Sequence, residues 1–554
     1  MKFFSDKISK LNANLTSTGA SPHTNPTVPP PVLSSFSPAT QEEVRKVILS
    51  MSDSTCFLDF LPTKLLKSCL PALLTPITNL INLCIAESTV PSDFKHALIT
   101  PLLKKDSLPK DDLSSYRPIS NLNFLSKVLE RIINNRLLSH LNSFPSFSPF
   151  QSAYRKFHSV ETALLKIQND LLLAIDKKKV SALVLLDLSA AFDTVDHQIL
   201  LTRLSSYFGI RDSALEFLSS YLVNRTQSVM IDSSISTPTL SLSGVPQGSI
   251  LGPLLFSLYT TPLAANLQDS ELRFHMYADD TQLYISFSAN NSVGALTQLT
   301  STLDSVHSWL SRNRLSLNPS KTDFLIIGSK QQREKLSFNS FTFGGNTISC
   351  APTVRNLGVI FDADLCLDSH ISNVCRSSYH QIRQIRQIRS ALNHWSAVLL
   401  AKALVSSRLN FCNSLYYGLP GSSLKRLQLV QNSLARCIFP NIRKFDHISA
   451  AIRDLHWLPV EQRITFKVAT MTYKALHHSA PSYLSELVIP YKPTRNLRSE
   501  SKNFLSVPRI DSAAGRRSFS YAAPHIWNSL PENLRTSSSL SSFRSLLKTH
   551  LFPP

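Results

Sequence analysis

Phe274-His275-Met276-Tyr277-Ala278-Asp279-Asp280-Thr281-Gln282-Leu283-Tyr284-Ile285-Ser286-Phe287 is the stretch on which the reading of this chain turns. Apolar and aromatic residues run up to two adjacent aspartates, and β-favouring residues run away from them. That pattern predicts a hairpin with Asp279 and Asp280 at a tight turn. Neighbouring carboxylates repel each other unless cations or donors neutralise them. A hard divalent ion, which prefers oxygen ligands, is the obvious neutraliser. An Asp-Asp pair alone does not decide this, because Asp111-Asp112 recurs in a polar loop and reads as a solvated turn.

A third carboxylate has a matching setting. Ser181-Ala182-Leu183-Val184-Leu185-Leu186-Asp187 is a short continuous apolar run, the pattern of a strand buried on both faces. An unpaired carboxylate at the end of such a strand is costly. Two strand-borne carboxylate sites are what in-line phosphoryl transfer with two divalent ions needs. Taken alone, Asp187 reads better as an N-capping aspartate after a core strand, with a turn leading on to a helix over 197–208.

The wording around these carboxylates resembles a known family. Leu186-Asp187-Leu188-Ser189-Ala190-Ala191-Phe192-Asp193, Ser243-Gly244-Val245-Pro246-Gln247-Gly248-Ser249-Ile250-Leu251-Gly252-Pro253 and Tyr277-Ala278-Asp279-Asp280 resemble the three core palm motifs of reverse transcriptases. Tyr116-Arg117-Pro118-Ile119-Ser120-Asn121 upstream and Leu317-Asn318-Pro319-Ser320-Lys321-Thr322 downstream are similar to those of non-LTR (LINE-type) retrotransposons, within them the Jockey and chicken-repeat group. Five motifs in order at plausible spacing carry the resemblance, which runs from about Thr55 to the C-terminus.

Charge is distributed unevenly. The 554 residues carry a formal +20. From His370 onward there are 25 Lys+Arg against 7 Asp+Glu, whereas the rest holds 32 against 30. The part with the aspartates is nearly neutral, and the appended basic part supplies the field that attracts phosphate. Nucleic acid is the partner such a split favours. A hydrophobic content of 43% fits a globular protein. Eight cysteines show no Cys-x-x-Cys pair and no zinc spacing, as expected of reduced intracellular residues. The apolar run 69–90 is broken by Pro71 and Pro76, and no signal peptide or membrane span is visible.

In chain order, residues 1–40 are Ser/Thr/Pro-rich and read as a flexible tether. Thr40-x-x-Glu43 has capping-box spacing ahead of a helix with Val44, Val47, Ile48 and Met51 on one face. With the next apolar stretch it makes a helical extension over 41–95. Residues 97–103 read as a strand, and 123–141 as an amphipathic helix whose Lys127, Arg131 and Arg136 form a solvated face. A second amphipathic helix is expected over 296–315, then a strand over 324–327. Gln381-Ile382-Arg383-Gln384-Ile385-Arg386-Gln387-Ile388-Arg389 repeats every three residues, laying an Ile stripe beside an Arg stripe on a helix. The stretches around Leu455-His456-Trp457-Leu458-Pro459 and Ala523-Pro524-His525-Ile526-Trp527-Asn528 resemble the tail of the same retrotransposon group without suggesting a chemistry.

The resemblance implies an α+β right-hand polymerase. Fingers and palm would cover 96–369, a helical thumb 370–440, and a basic C-terminal region 441–554. It implies RNA-directed DNA synthesis, with Asp187, Asp279 and Asp280 holding two Mg²⁺ ions, for which Mn²⁺ is a possible substitute. Lys321 would stand near the leaving pyrophosphate. Arg155, in the fingers-like Gln151-Ser152-Ala153-Tyr154-Arg155, would grip the triphosphate bidentately, with Arg117 as a weaker candidate. Phe192 would lie under the nucleotide sugar, and Gln247 and Gly248 would border the nucleotide. The segment Leu357-Gly358-Val359-Ile360-Phe361 resembles the primer grip, and Arg383, Arg386 and Arg389 would face a duplex backbone. Expected partners are an RNA template, a DNA primer or target, and dNTPs, with no membrane. The residues ahead of Thr40 leave no room for the endonuclease such elements carry, so nicking is expected in trans. The expected location is nuclear and cytoplasmic, as a ribonucleoprotein. The competing reading is a catalytically silent nucleic-acid-binding relic; a telomere-type polymerase fits less well.

Overall fold

A computed structural model describes residues 29–552 except 106–107, 269, 319–320 and 493–502, together with Phe3, Asp6 and Ile8. Much of the expected tether therefore lies outside the described residues, as do Pro319 and Ser320 of the downstream motif. The chain divides into two interleaved units. One comprises Met1–Tyr154, Asp187–Ser270 and Thr302–Pro319; the other comprises Arg155–Leu186, Glu271–Ser301 and Ser320–Pro554. Both mix helices with sheets, the α+β class expected.

The first unit is built on a sheet in which His96–Leu103 pairs antiparallel with Tyr116–Asn121 and parallel with Arg225–Ile231. Helix Phe124–Leu141 begins where Asn123 accepts the amide of Leu125 at 2.8 Å, and it buries the expected Val128, Leu129, Ile132, Ile133 and Leu137. Thr40 caps helix Gln41–Ser50 through the amide of Glu43. The Glu43 carboxylate takes a different partner from the one its spacing suggests: both oxygens accept from Arg136, at 2.6 and 2.7 Å. Arg136 also donates to the carbonyls of Ser37 and Pro38, so it is a latch and not a solvated cation. The residues just before that latch are packed as well. Leu33 bonds the backbone of Gly209, and Phe36 sits buried, edge-on to Phe217 at 5.6 Å. Helix Leu251–Gln268 is buried almost all round. The buried Arg203 guanidinium reaches from helix His197–Ser206 to the carbonyl of Tyr259 and to Asn313.

The second unit contains an all-antiparallel sheet in the order Asp323–Ile327, Val180–Leu186, Asp280–Phe287, Arg273–Tyr277. Val180–Leu186 lies inside this sheet and is buried along nearly its whole length, which accounts for its unbroken apolar run. Helix Val160–Asp176, opened by a Ser159/Thr162 capping box, packs on the sheet. Two short hairpins follow, Ser340–Phe343 with Asn346–Ser349 and Thr353–Asn356 with Val359–Asp362. Beyond them the unit is mainly helical: Asp368–Ile388 packs on Gly421–Ile438, and Val460–Leu476 packs on both Phe519–Ser529 and Leu540–Leu551. No disulfide is present and no helix is long and apolar enough to cross a membrane, among the described residues.

Candidate active site

In the second unit the decisive stretch forms the hairpin its sequence predicts. Tyr277 pairs with Asp280, leaving Ala278 and Asp279 as a two-residue turn. Ala278 takes φ +56°, a left-handed conformation that costs a residue with a Cβ about 1–2 kcal/mol. Asp279 and Asp280 are half-buried at the tip. Beneath them the hairpin is stiffened by charge: Asp170 accepts from the buried hydroxyl of Tyr284 at 2.7 Å and pairs with Arg273 and Lys166, each at 3.0 Å. His275 is fully buried, edge-on to Tyr483 at 5.0 Å. The neighbouring strand ends at Leu186, opposite Thr281, and Asp187 is the next residue of the chain.

In the first unit, backbone bonds stitch three loops together. The amide of Gly244 donates to Val195 and that of Val245 to Phe192, both at 2.8 Å; the amide of Ser120 donates to Gln247, also at 2.8 Å. Gly244 (φ +88°) and Gly248 (φ +124°) are required where they stand. A Cβ at Gly244 would lie 2.8 Å from the backbone of Asp193, and one at Gly248 would lie 2.4 Å from the carbonyl of Ser120. The Gln247 amide nitrogen donates to both oxygens of Asp193, each at 3.0 Å, which leaves its carbonyl side for a ligand. Phe192 is half-buried and stacks on Phe256 at 4.6 Å. Asp196 caps helix His197–Ser206, its side chain accepting the amide of Ile199 at 3.0 Å.

A small cavity beside these loops is lined by Tyr116, Pro118, Ser120, Asp193, Arg225 and Gln247. Sequence reasoning missed Arg225: it is buried, lies over the Tyr221 ring, bonds that residue's carbonyl, and keeps one Nη without a partner. Nothing in its wording marks it, because burial of a strand-end arginine depends on the sheet above it. Arg117 alternates with Tyr116 and Pro118 along its strand and is exposed, off the cavity face.

The remaining expected residues belong to the second unit. Arg155 is half-buried, and burial pulls its guanidinium below its ordinary value while the nearby Tyr483 phenol opposes the shift. Lys321 is exposed at the start of the segment leading into Asp323–Ile327. Leu357 and Gly358 form the two-residue turn between Thr353–Asn356 and Val359–Asp362, with φ of +44° and +92°, and the ring of Phe411 packs against Gly358. Along Asp368–Ile388, Ile382 and Ile385 are buried while Arg383 and Arg386 are exposed, as the two stripes predict, but Ile388, the last of the Ile stripe, is exposed. Arg389 corrects the expectation. The helix stops at Ile388, and the Arg389 guanidinium turns back to the carbonyls of Leu392, Cys437 and Ile438, so it caps a helix end and does not face a backbone.

Carboxylate oxygens are the donors a hard divalent ion prefers. Mg²⁺ in particular binds through one or two carboxylates plus substrate phosphates and keeps several waters. Asp279 and Asp280 suit that demand. Among the described residues no group of three or more His, Cys, Asp or Glu forms a ready-made metal cluster.

Comparison with known proteins agrees with this geometry. Residues 104–361 match the family described as reverse transcriptase (RNA-dependent DNA polymerase). The chain is 29% identical over 425 residues to the probable RNA-directed DNA polymerase from transposon BS of Drosophila melanogaster, covering 74% of this chain and 45% of that protein. It is 27% identical over 410 residues to the RNA-directed DNA polymerase from mobile element jockey of Drosophila funebris, covering 72% and 44%. The chain thus spans less than half the length of these relatives. An apo telomerase from Candida tropicalis, truncated from its C-terminal domain, aligns with a TM-score of 0.33 at 16% identity over 50% of this chain and 56% of that one, too loosely to carry weight. Residues 104–361, with their Asp-Asp hairpin and Pro-Gln-Gly loop, thus carry a reverse transcriptase domain, and the chain is similar to the RNA-directed DNA polymerases of jockey and related non-LTR retrotransposons.

Proposed function

We propose that the chain is an RNA-directed DNA polymerase that extends a DNA primer with dNTPs on an RNA template. Asp187, Asp279 and Asp280 are its metal-holding carboxylates. The observation that carries this reading is the Tyr277–Asp280 turn: its carboxylates stand at one end of the sheet, where the strand leading into Asp187 also ends, opposite Thr281. Mg²⁺ bound to these oxygens would supply the charge that makes the primer 3′-hydroxyl a better nucleophile and stabilises the leaving pyrophosphate. The chain's own residues do the positioning. Phe192, backed by Phe256, offers a flat wall to the sugar, and the carbonyl of the Gln247 side chain faces the nucleotide while Asp193 holds its other end. Arg155 draws the triphosphate, and Lys321 donates toward the leaving group. Arg383 and Arg386 hold the duplex backbone by charge rather than by sequence.

Extension of a primed homopolymeric RNA by purified protein in Mg²⁺ tests this. Wild type is expected to add dNTPs. Asp187→Asn and Asp279→Asn should each lose about a thousandfold in rate, since several kcal/mol of transition-state stabilisation are at stake. Unchanged synthesis in either variant would remove that residue from the site. Salt-dependent RNA binding without any synthesis by wild type would favour the silent nucleic-acid-binding reading.

A further inference from the structure

Two tail stretches, 455–459 and 523–528, have no part in the polymerase reading, yet in the second unit the helix that follows the first and His525 of the second line one cavity of about 500 Å³. Pro459 starts helix Val460–Leu476, whose first turns place Glu461, Ile464 and Thr465 on the cavity. In the other stretch Trp527 is buried with its indole N–H on the carbonyl of Asn503, and the Asn528 amide brackets the backbone of Leu505 from both sides at 2.8 Å. Those two residues hold structure. His525 is the member that faces outward, and it lines the cavity.

The wall it joins is aromatic and cationic. Tyr521 and His525, one turn apart on helix Phe519–Ser529, stack with centroids 5.5 Å apart and planes 17° from parallel. The hydroxyl of Tyr417 lies 3.3 Å from His525 Nδ1. Arg516 is exposed at the mouth. Arg517 is anchored through one Nη to the carbonyl of Leu365 at 2.6 Å, while its buried Nε has no partner. Glu461 and Asp511 are the acidic residues at the rim, both exposed. A parallel ring pair next to guanidinium groups suits a base with its phosphate, and every base presents a π-face to such a platform. The volume lies within the range of small-ligand sites. The surrounding 370–554 segment, with 25 Lys+Arg to 7 Asp+Glu, attracts a polyanion.

We propose that this cavity holds an unstacked nucleotide of a single-stranded polynucleotide, with the base on the Tyr521–His525 pair and the phosphate on Arg516 and Arg517. No residue of the carboxylate-bearing hairpin lines this cavity, and its occupancy does not depend on synthesis.

The test uses the full chain without dNTPs, a single-stranded RNA 12-mer carrying 4-thiouridine, and a matching DNA 12-mer carrying 4-thiothymidine. Photo-crosslinks are expected in the peptide spanning 511–528. Arg516→Gln, an exposed change, should weaken binding roughly five- to tenfold and flatten the salt dependence by about one phosphate contact. Tyr521→Ala should weaken it similarly, whereas Tyr521→Phe, which keeps the ring, should not. A response confined to the RNA arm identifies RNA as the ligand, one confined to the DNA arm identifies DNA, and a response in both supports any single strand. Unchanged affinity in Arg516→Gln and Tyr521→Ala, an equal loss in Tyr521→Phe, or crosslinks found only elsewhere would overturn the proposal. Because binding is read without synthesis, a failed extension assay leaves this result untouched.

Discussion

Arginines with similar sequence surroundings do different work here. Arg383, Arg386 and Arg389 recur every three residues, and the repeat alone treats them alike. Their burial separates them: two are exposed on the helix, while the third spends its donors on three carbonyls. Arg383→Gln and Arg386→Gln should each lower the slope of log affinity against log salt by about 0.7–0.9 without changing stability. Arg389→Ala should leave that slope alone and destabilise the chain by about 1–3 kcal/mol, because buried carbonyls at a helix end lose their donor. Filter binding across a salt series and thermal melts separate the two classes; equal salt effects from all three would contradict the assignment. The same limit hid Arg225 and the Glu43–Arg136 latch. Residue type and spacing show which side chains carry charge, but a partner far along the chain decides whether that charge is solvated.

Elements were the most legible scale. The buried strand before Asp187, the hairpin at Asp279-Asp280, and the caps at Thr40 and Asp196 follow from short-range rules of periodicity, turn chemistry and side-chain acceptors. The pairing of Val180–Leu186 with Asp323–Ile327 was not legible, because strand partners lie over a hundred residues apart and any β-prone segment competes for the edge. The Gly244–Gly248 loop sits between these cases: glycine and proline announce a tight turn, but not what it touches. Gly248→Ala must fit a Cβ 2.4 Å from the Ser120 carbonyl at φ +124°. It should cost about 2–3 kcal/mol and lower the melting midpoint by several degrees. Gly421→Ala, at the open first position of helix Gly421–Ile438, should be neutral or slightly stabilising. Equal melting of the two variants would show that the loop does not need its glycine.

For the whole molecule, charge and protonation set the operating range. Burial drives His275 down to about 3, and His158 and His370 down to about 4, with neighbouring positive charge adding to each shift. All three folded values lie below the ordinary histidine value of about 6.5, so the unfolded chain takes up protons first as pH falls. Their contribution is constant above pH 6.5. Stability should then fall by up to about 1.4 kcal/mol per pH unit for each histidine as pH drops from 6.5 toward 4. His275→Gln should make that decline shallower in urea melts run across pH. A slope unchanged by the substitution would show that His275 is not held neutral. The basic 370–554 segment was readable from composition, since a net charge needs no fold to be counted. Which of its aromatics line a cavity was not, because Tyr417 meets Tyr521 and His525 only after the chain packs.

The polymerase proposed above needs carboxylates from two sequence-distant strand ends to hold its metal ions. Counting bound Mn²⁺ by electron paramagnetic resonance, with primed RNA template and a non-hydrolysable dNTP analogue present, tests it most directly. Two tightly bound ions are expected in wild type, and at least one should be lost in both Asp187→Asn and Asp279→Asn. Two ions retained in either variant at undiminished affinity would contradict the account.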